Sequence, residues 1–215
     1  MRPPEDRPAG AAAVTRSAGA TARFRKIGER ERLAGSFIRI VTGTFVGPDG
    51  YTFEREMVRH LGAVCIVPLE DDGDTVRCVR QYRPPLEETV LELPAGKLDV
   101  PGESVELAAR RELAEEIGAE ATQITELGAF YNSPGFTDER TTCFLAEGLS
   151  EVGTSLQGIE EQHMTIERIR LSEVFSLVAN GTLTDGKSII ALCLAAELLR
   201  GRRDETGGGA GAGGS

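Results

Sequence analysis

The segment from Gly96 to Ala119, GKLDVPGESVELAARRELAEEIGA, constrains the fold of this chain more than any other part of the sequence. After a Pro- and Gly-containing loop, apolar residues recur every four positions, at Val105, Ala109, Leu113 and Ile117. This spacing gives a helix one apolar face, and a glycine such as Gly118 commonly ends a helix. The sequence therefore predicts an amphipathic helix from about Glu103 to Ile117 that packs on a core.

The same helix carries three clustered carboxylates. Glu112 and Glu116 are four residues apart and share a face, and Glu115 flanks them. Like charges at this spacing repel, so a bound cation would stabilise them. Oxygen ligands without His or thiolate favour a hard ion such as Mg²⁺, which also binds phosphate oxygens. Taken alone, a solvated acidic helix face is the common alternative.

The flanking residues favour the metal site, because together they resemble the Nudix box. That pattern has Gly, five residues, Glu, seven residues, Arg-Glu, an apolar residue, any residue, Glu-Glu, any residue, Gly and an apolar residue. From Glu103 to Ala119 the match is complete. One departure lies in the loop, where six residues instead of five separate Gly96 from Glu103. Loops absorb such insertions cheaply, so the departure affects the loop geometry and the alignment of Gly96.

The resemblance implies roles for the box residues and for the loop after it. Those implied metal ligands are Glu112, Glu116, Glu115 and the Ala95 carbonyl, and the implied ion is Mg²⁺, with Mn²⁺ as an alternative. Arg111 would orient a neighbouring carboxylate, for which Glu103 is the candidate. The general base would be Glu161, with Glu160 as the second candidate. Both lie in the stretch GIEEQH, just before the β-type run MTIERIRL, and similar enzymes have a glutamate on the loop before this strand. From the residues alone, this loop reads equally well as a solvated acidic loop.

Two further stretches resemble the ADP-ribose pyrophosphatase branch of the Nudix hydrolases. They are VRQYRPPLEETVLELPAG, with Arg80 and Arg83, and YNSPGFTDE, with Pro134, Gly135 and Phe136. The resemblance implies that these residues bind the substrate. Physically, the arginines could donate bidentate hydrogen bonds to a phosphate, although strand-end arginines are more often surface residues. The second stretch also has the composition of an ordinary tight turn.

Around the box, short β-type runs alternate with turn signals, and helices are expected at about 172–180 and 185–200. The predicted fold class is therefore α/β. By resemblance it is a Nudix (MutT-like) α/β/α sandwich with a mixed sheet, preceded by N-terminal antiparallel strands. We expect a disordered or weakly ordered arm over 1–34, N-terminal strands over 35–60, a Nudix domain over 61–202, and a disordered Gly-rich tail over 203–215.

The function expected from this resemblance is Mg²⁺-dependent hydrolysis of ADP-ribose to AMP and ribose 5-phosphate. Alternatives are hydrolysis of another nucleoside diphosphate sugar, NADH, a dinucleoside polyphosphate or an oxidised nucleotide, and a sensor that binds ADP-ribose without cleaving it. The branch implies a homodimer in which strands within 37–58 are exchanged and help to bind adenine.

The net charge narrows the classes of molecule that this chain is expected to bind. The net charge is −10, and residues 1–35 hold eight Lys/Arg against four Asp/Glu, which leaves the remainder near −14. Such an acidic body argues against nucleic-acid binding.

No apolar run is long enough to span a membrane and no signal-peptide pattern is present, so we expect a cytoplasmic protein. The four cysteines stand singly in apolar stretches and are expected to be reduced, while His60 and His163 are expected to be structural or surface residues.

Overall fold

The computed structural model describes residues 23–154, 156 and 159–207. Its strands are β1 (Arg25–Ala34), β2 (Ile38–Val46), β3 (Thr52–His60), β4 (Ala63–Pro68), β5 (Thr75–Arg83), β6 (Glu88–Glu92), β7 (Ala95–Lys97), β8 (Ala119–Tyr131), β9 (Arg140–Glu151) and β10 (Thr165–Arg170). The α-helices are α1 (Val105–Ile117), α2 (Ile159–Gln162), α3 (Val174–Ala179) and α4 (Gly186–Gly207), and a 3₁₀ turn at Leu171–Glu173 precedes α3.

The strands form three sheets. The central sheet has the order β7-β4-β9-β8, with β4 parallel to β9 and the other neighbours antiparallel. A second sheet has the order β10-β5-β6, and the N-terminal sheet has the order β1-β2-β3. The central sheet is therefore mixed, as predicted.

Strand β4 explains the layering, because all six of its residues are buried. Its side chains alternate between two cores. Val64 and Ile66 pack with the apolar face of α1, whereas Cys65 and Val67 pack with α4. Helices thus cover both faces of the central sheet, which is the expected α/β/α arrangement.

The described residues contain secondary structure in both segments that were predicted to be disordered or weakly ordered. Residues 25–34 fall within the expected arm but form β1, which pairs along its length with β2. This strand is polar and almost wholly exposed, so it lacks the alternation that identifies a half-buried strand. Helix α4 continues to Gly207, past the start of the expected tail, and ion pairs of Arg200 with Glu197 and Asp204 along the helix support this extension in spite of Gly201. Residues 1–22 and 208–215 of these predicted segments lie outside the described residues.

The helices expected at about 172–180 and 185–200 correspond to the 3₁₀ turn with α3 and to α4. All four thiols are free, with Cys65, Cys78 and Cys143 buried. Among the described residues, no helix is long and apolar enough to cross a membrane.

Candidate active site

Helix α1 places two of the predicted carboxylates against the central sheet. Ser104 caps its N-terminus by accepting a hydrogen bond from the Leu107 amide at 3.2 Å, and Gly118 ends it in the left-handed conformation, at φ 60°. With the helix fixed at both ends, Glu112 and Glu116 lie on its inner face and are 9% and 6% exposed.

Strand β7 approaches these carboxylates closely. The Ala95 amide donates a hydrogen bond to Glu116 Oε2 at 3.1 Å. At Gly96, a Cβ would lie 1.8 Å from Glu112 Cδ, closer than any real contact allows. Only glycine leaves room for the Glu112 carboxylate beside the strand. Gly96 therefore lies against the Glu112 side chain of the helix, although six residues separate it from Glu103.

Arg111 lies at the centre of the acidic cluster. Its guanidinium donates to both oxygens of Glu103 at 3.1 Å, to Glu112 at 2.7 Å and to Glu115 at 3.1 Å. These charged hydrogen bonds raise its pKa, mainly through Glu103. The contact expected between Arg111 and Glu103 is present, and the same guanidinium also joins Glu112 and Glu115.

The two buried carboxylates resist ionisation. Burial raises the pKa of Glu116 to about 8, and the charges of Glu112 and Glu161 add to the effect of burial although the Ala95 amide opposes it. Burial also raises the pKa of Glu112, against the effect of Arg111. A cation at this position would relieve both costs.

The donor chemistry fits a hard divalent cation. Glu112, Glu115 and Glu116 offer oxygens only, which suits Mg²⁺ or Mn²⁺. In the described part of the chain, no three His, Cys, Asp or Glu side chains form a ready-made metal site. Arg111 already pairs with two of these carboxylates. The residues therefore fit an ion that is held by these carboxylate oxygens and completes its shell with water and substrate oxygens.

These residues line a cleft of about 1000 Å³. Its walls come from α1, β7, the ends of β5 and β8, and the first turn of α4. This volume is at the upper end of the range of about 300–1,000 Å³ that is usual for small-molecule sites. The cleft is thus large enough for a nucleotide-sized ligand.

The two candidate bases are placed differently. Glu161 lines the cleft and is close enough to Glu116 for its charge to raise the pKa of that residue. Glu160 is next to it on the short helix α2 but does not line the cleft. The geometry thus favours Glu161 over Glu160.

Of the two candidate arginines, only Arg83 lines the cleft. It donates to Glu92 through Nε at 2.6 Å and through Nη2 at 2.7 Å. Glu92 is 2% exposed and also pairs with Lys187. Although burial raises the pKa of Glu92, Arg83 and Lys187 together hold it below its ordinary value. Arg80 instead pairs with Glu167, at 2.6 and 3.1 Å, outside the cleft.

The turn between β8 and β9 is also placed away from the cleft. Pro134, Gly135 and Phe136 line a second groove, of about 370 Å³, together with Phe24 and Phe53 of the N-terminal region. The turn is tied to β3, where the Val58 amide donates to the Phe136 carbonyl at 2.8 Å. Within one chain, therefore, the structure does not bring Arg80 or this turn to the carboxylates.

Sequence reasoning missed Glu92 and Lys187 and assigned His60 only a structural role. His60 lines the rim of the cleft, where its ring meets Phe37 edge to face. Two signals point to the missed pair. Glu92 interrupts the apolar run VLEL, and Lys187 lies in the first turn of α4, where the helix dipole disfavours a cation. Each position therefore needs an opposite charge nearby. His163 is exposed, as expected.

Replacing Glu116 by Gln should stabilise the cation-free protein. Between the ordinary pKa of 4.5 and about 8, the folded chain keeps a proton that the unfolded chain releases, so stability falls as the pH rises through this window. A glutamine cannot ionise. In EDTA at pH 8 we expect Glu116→Gln to raise the free energy of unfolding by on the order of 1 kcal/mol, and by less at pH 5. Urea unfolding measures this, with the exposed Glu120→Gln as the control; equal stability of Glu116→Gln and wild type at pH 8 would contradict it.

Comparison with known proteins gives the family. The NUDIX domain model matches residues 59–191. An ADP-ribose pyrophosphatase of Bacillus subtilis is 37% identical over 166 residues, which cover 77% of this chain and 89% of that protein. An ADP-ribose pyrophosphatase of Mycobacterium tuberculosis is 40% identical over 142 residues, covering 66% and 68%. A methanol dehydrogenase activator of Bacillus methanolicus is 35% identical over 159 residues, covering 74% and 85%.

The fold is also found among solved structures. A crystal structure of an ADP compounds hydrolase superposes with a TM-score of 0.74 at 24% identity and covers 86% of this chain and 98% of that one. This likeness confirms the predicted fold class. With the box residues gathered at one cleft and the NUDIX model matched over most of the described residues, the protein belongs to the Nudix family of hydrolases.

Proposed function

We propose that this Nudix hydrolase cleaves the diphosphate of ADP-ribose, giving AMP and ribose 5-phosphate. The observation that carries the proposal is that Glu112, Glu116 and Glu161 line one cleft with Arg83, which is close enough to Glu116 for its charge to lower the pKa of that carboxyl. Carboxylates for a cation and an arginine for phosphate oxygens in one cleft suit a diphosphate. The two relatives named ADP-ribose pyrophosphatase support this choice of substrate.

In this proposal, Glu112, Glu116 and Glu115 would hold Mg²⁺ or Mn²⁺. When bound, the cation supplies positive charge that offsets the charge developing on the phosphoryl oxygens. Arg111 keeps the carboxylates of Glu112 and Glu115 in place. Gly96 lets the backbone of β7 approach the same point, so that the Ala95 carbonyl can serve as a further oxygen ligand.

The chemical step is hydrolysis by one water molecule. Glu161 accepts a proton from this water as its oxygen forms a bond to one phosphorus, and the bond from that phosphorus to the bridging oxygen breaks. The bridging oxygen leaves with the other phosphate, so AMP and ribose 5-phosphate are released. Arg83 holds the diphosphate oxygens during this exchange.

We also propose that the protein acts in the cytoplasm as a homodimer joined through the N-terminal sheet. Several large apolar side chains of this region are exposed, namely Phe24, Ile27, Leu33, Phe37 and Tyr51. The groove at Pro134, Gly135 and Phe136 lies on the same side and would then be covered by the partner. Sedimentation equilibrium of the full chain should give twice the mass of 23.0 kDa, and a monomer at micromolar concentration would contradict the dimer.

Release of AMP by the purified protein tests the substrate. ADP-ribose should be cleaved in Mg²⁺ and not in EDTA, and faster than ADP-glucose, GDP-mannose, NADH or 8-oxo-dGTP. Glu112→Gln should lower kcat by at least about a hundredfold, whereas Glu106→Gln, on the exposed face of the same helix, should not. Faster cleavage of another nucleotide would overturn the substrate, and tight binding of ADP-ribose without turnover would favour a sensor.

The neighbouring glutamates of α2 provide a matched test of the base. Glu161→Gln should lower kcat by about 10²–10⁴-fold with little change in KM, because the water loses its proton acceptor. Glu160→Gln removes the same charge one residue away, outside the cleft, and should change kcat by less than about twofold. Equal losses in the two variants would show that neither residue is the base.

A further inference from the structure

The network behind Arg83 is more extensive than a single ion pair. The buried carboxylate of Glu92 receives Arg83 on both oxygens and Lys187 on Oε2. Lys187 also pairs with Asp185 at 3.0 Å. Two cations and two carboxylates therefore alternate across the wall of the cleft, and each charge is neutralised by its neighbours.

The first turn of α4 locks this network to β6. Ser188 is fully buried, donates to Asp185 and accepts a hydrogen bond from the Leu93 amide at 2.8 Å. Leu93 directly follows Glu92, so the helix and the strand end are held in register on either side of the carboxylate. The position of Glu92 is thus fixed by backbone as well as by charge.

This arrangement fixes the free edge of Arg83. Its Nε and Nη2 are occupied by Glu92, and among the described residues Nη1 has no hydrogen-bond partner. The side chain of Arg83 is 37% exposed at the cleft, whereas that of Glu92 is 3% exposed. An arginine held by two of its nitrogens presents the third in one direction without further loss of side-chain entropy.

We propose that Glu92 and Lys187 are positioning residues that hold Arg83 in the orientation in which it binds the substrate diphosphate. This inference rests on the proposed function for the identity of the substrate, but the recognised group is the diphosphate itself. Lys187 gives Oε2 of Glu92 a second cationic partner, so that the carboxylate is held from two sides. The network formed by Arg83, Glu92, Lys187 and Asp185 thus contributes to substrate binding and not only to stability.

The test uses Glu92→Gln and Lys187→Met in the full chain. Each variant should weaken the binding of inorganic pyrophosphate in Mg²⁺, measured by calorimetry, by about tenfold, and should raise KM for ADP-ribose more than it lowers kcat. Combining Glu92→Gln with Arg83→Ala should weaken binding no further than Arg83→Ala alone, because the two residues act as one unit.

Glu70→Gln is the matched control. Glu70 holds Arg77, on the same strand as Arg83, through Nε at 2.8 Å and Nη2 at 3.2 Å, and lies away from the cleft. The Glu70→Gln variant should leave pyrophosphate binding and the KM for ADP-ribose unchanged. If Glu92→Gln does not fold, Lys187→Met and its combination with Arg83→Ala give the same comparison.

Three results would overturn the inference: unchanged pyrophosphate binding in folded Glu92→Gln and Lys187→Met, an equal loss in Glu70→Gln, or no pyrophosphate binding by the wild type. The substrate proposal fails separately. Pyrophosphate binding with the expected dependence on Glu92, in a protein that leaves ADP-ribose intact, would support the positioning role and refute the hydrolysis of ADP-ribose.

Discussion

The site depends on the close approach of β7 to helix α1. Gly96 leaves the space in which the Glu112 carboxylate lies, and the amide of Ala95 reaches Glu116. The helix and the strand are brought together by the apolar residues of α1, which pack on β4 beside β7. Core packing of the inner face of the helix thus holds two carboxylates, which lie beside its apolar residues, in a poorly hydrated position. Their raised pKa values express that cost, which a cation would offset.

Ion pairs lower the cost of the other charged side chains in the cleft. Arg111 neutralises part of the acidic cluster, and elsewhere in the cleft Arg83 and Lys187 share Glu92. Each group therefore combines acidic and basic side chains, and Arg83 lines the same cleft as Glu112, Glu115 and Glu116. In the proposed function, a diphosphate bound with a divalent cation would meet both the carboxylates and the arginine of this cleft.

The sequence was most informative where spacing alone dictates geometry. The four-residue repeat of α1 and the Glu112 and Glu116 pair follow directly from the helical period, and the apolar strands follow from their composition. It was least informative where partners are distant in the chain. The residues next to Glu92 in the sequence do not reveal that it pairs with Lys187, and those next to Arg80 do not reveal that it pairs with Glu167 outside the cleft. The polar edge strand β1 was missed because backbone pairing, and not side-chain burial, holds it.

The contact between Gly96 and Glu112 is tested most directly by adding one methyl group. Gly96→Ala should force the Glu112 carboxylate out of its position and lower both Mn²⁺ affinity, measured by electron paramagnetic resonance, and the rate of ADP-ribose hydrolysis by about 10–100-fold. Gly153→Ala, where a methyl group would meet no atom of the described residues within 4 Å, should leave both unchanged. A folded Gly96→Ala protein with wild-type Mn²⁺ affinity and turnover would contradict the account, because the carboxylate would then not need the space that glycine provides.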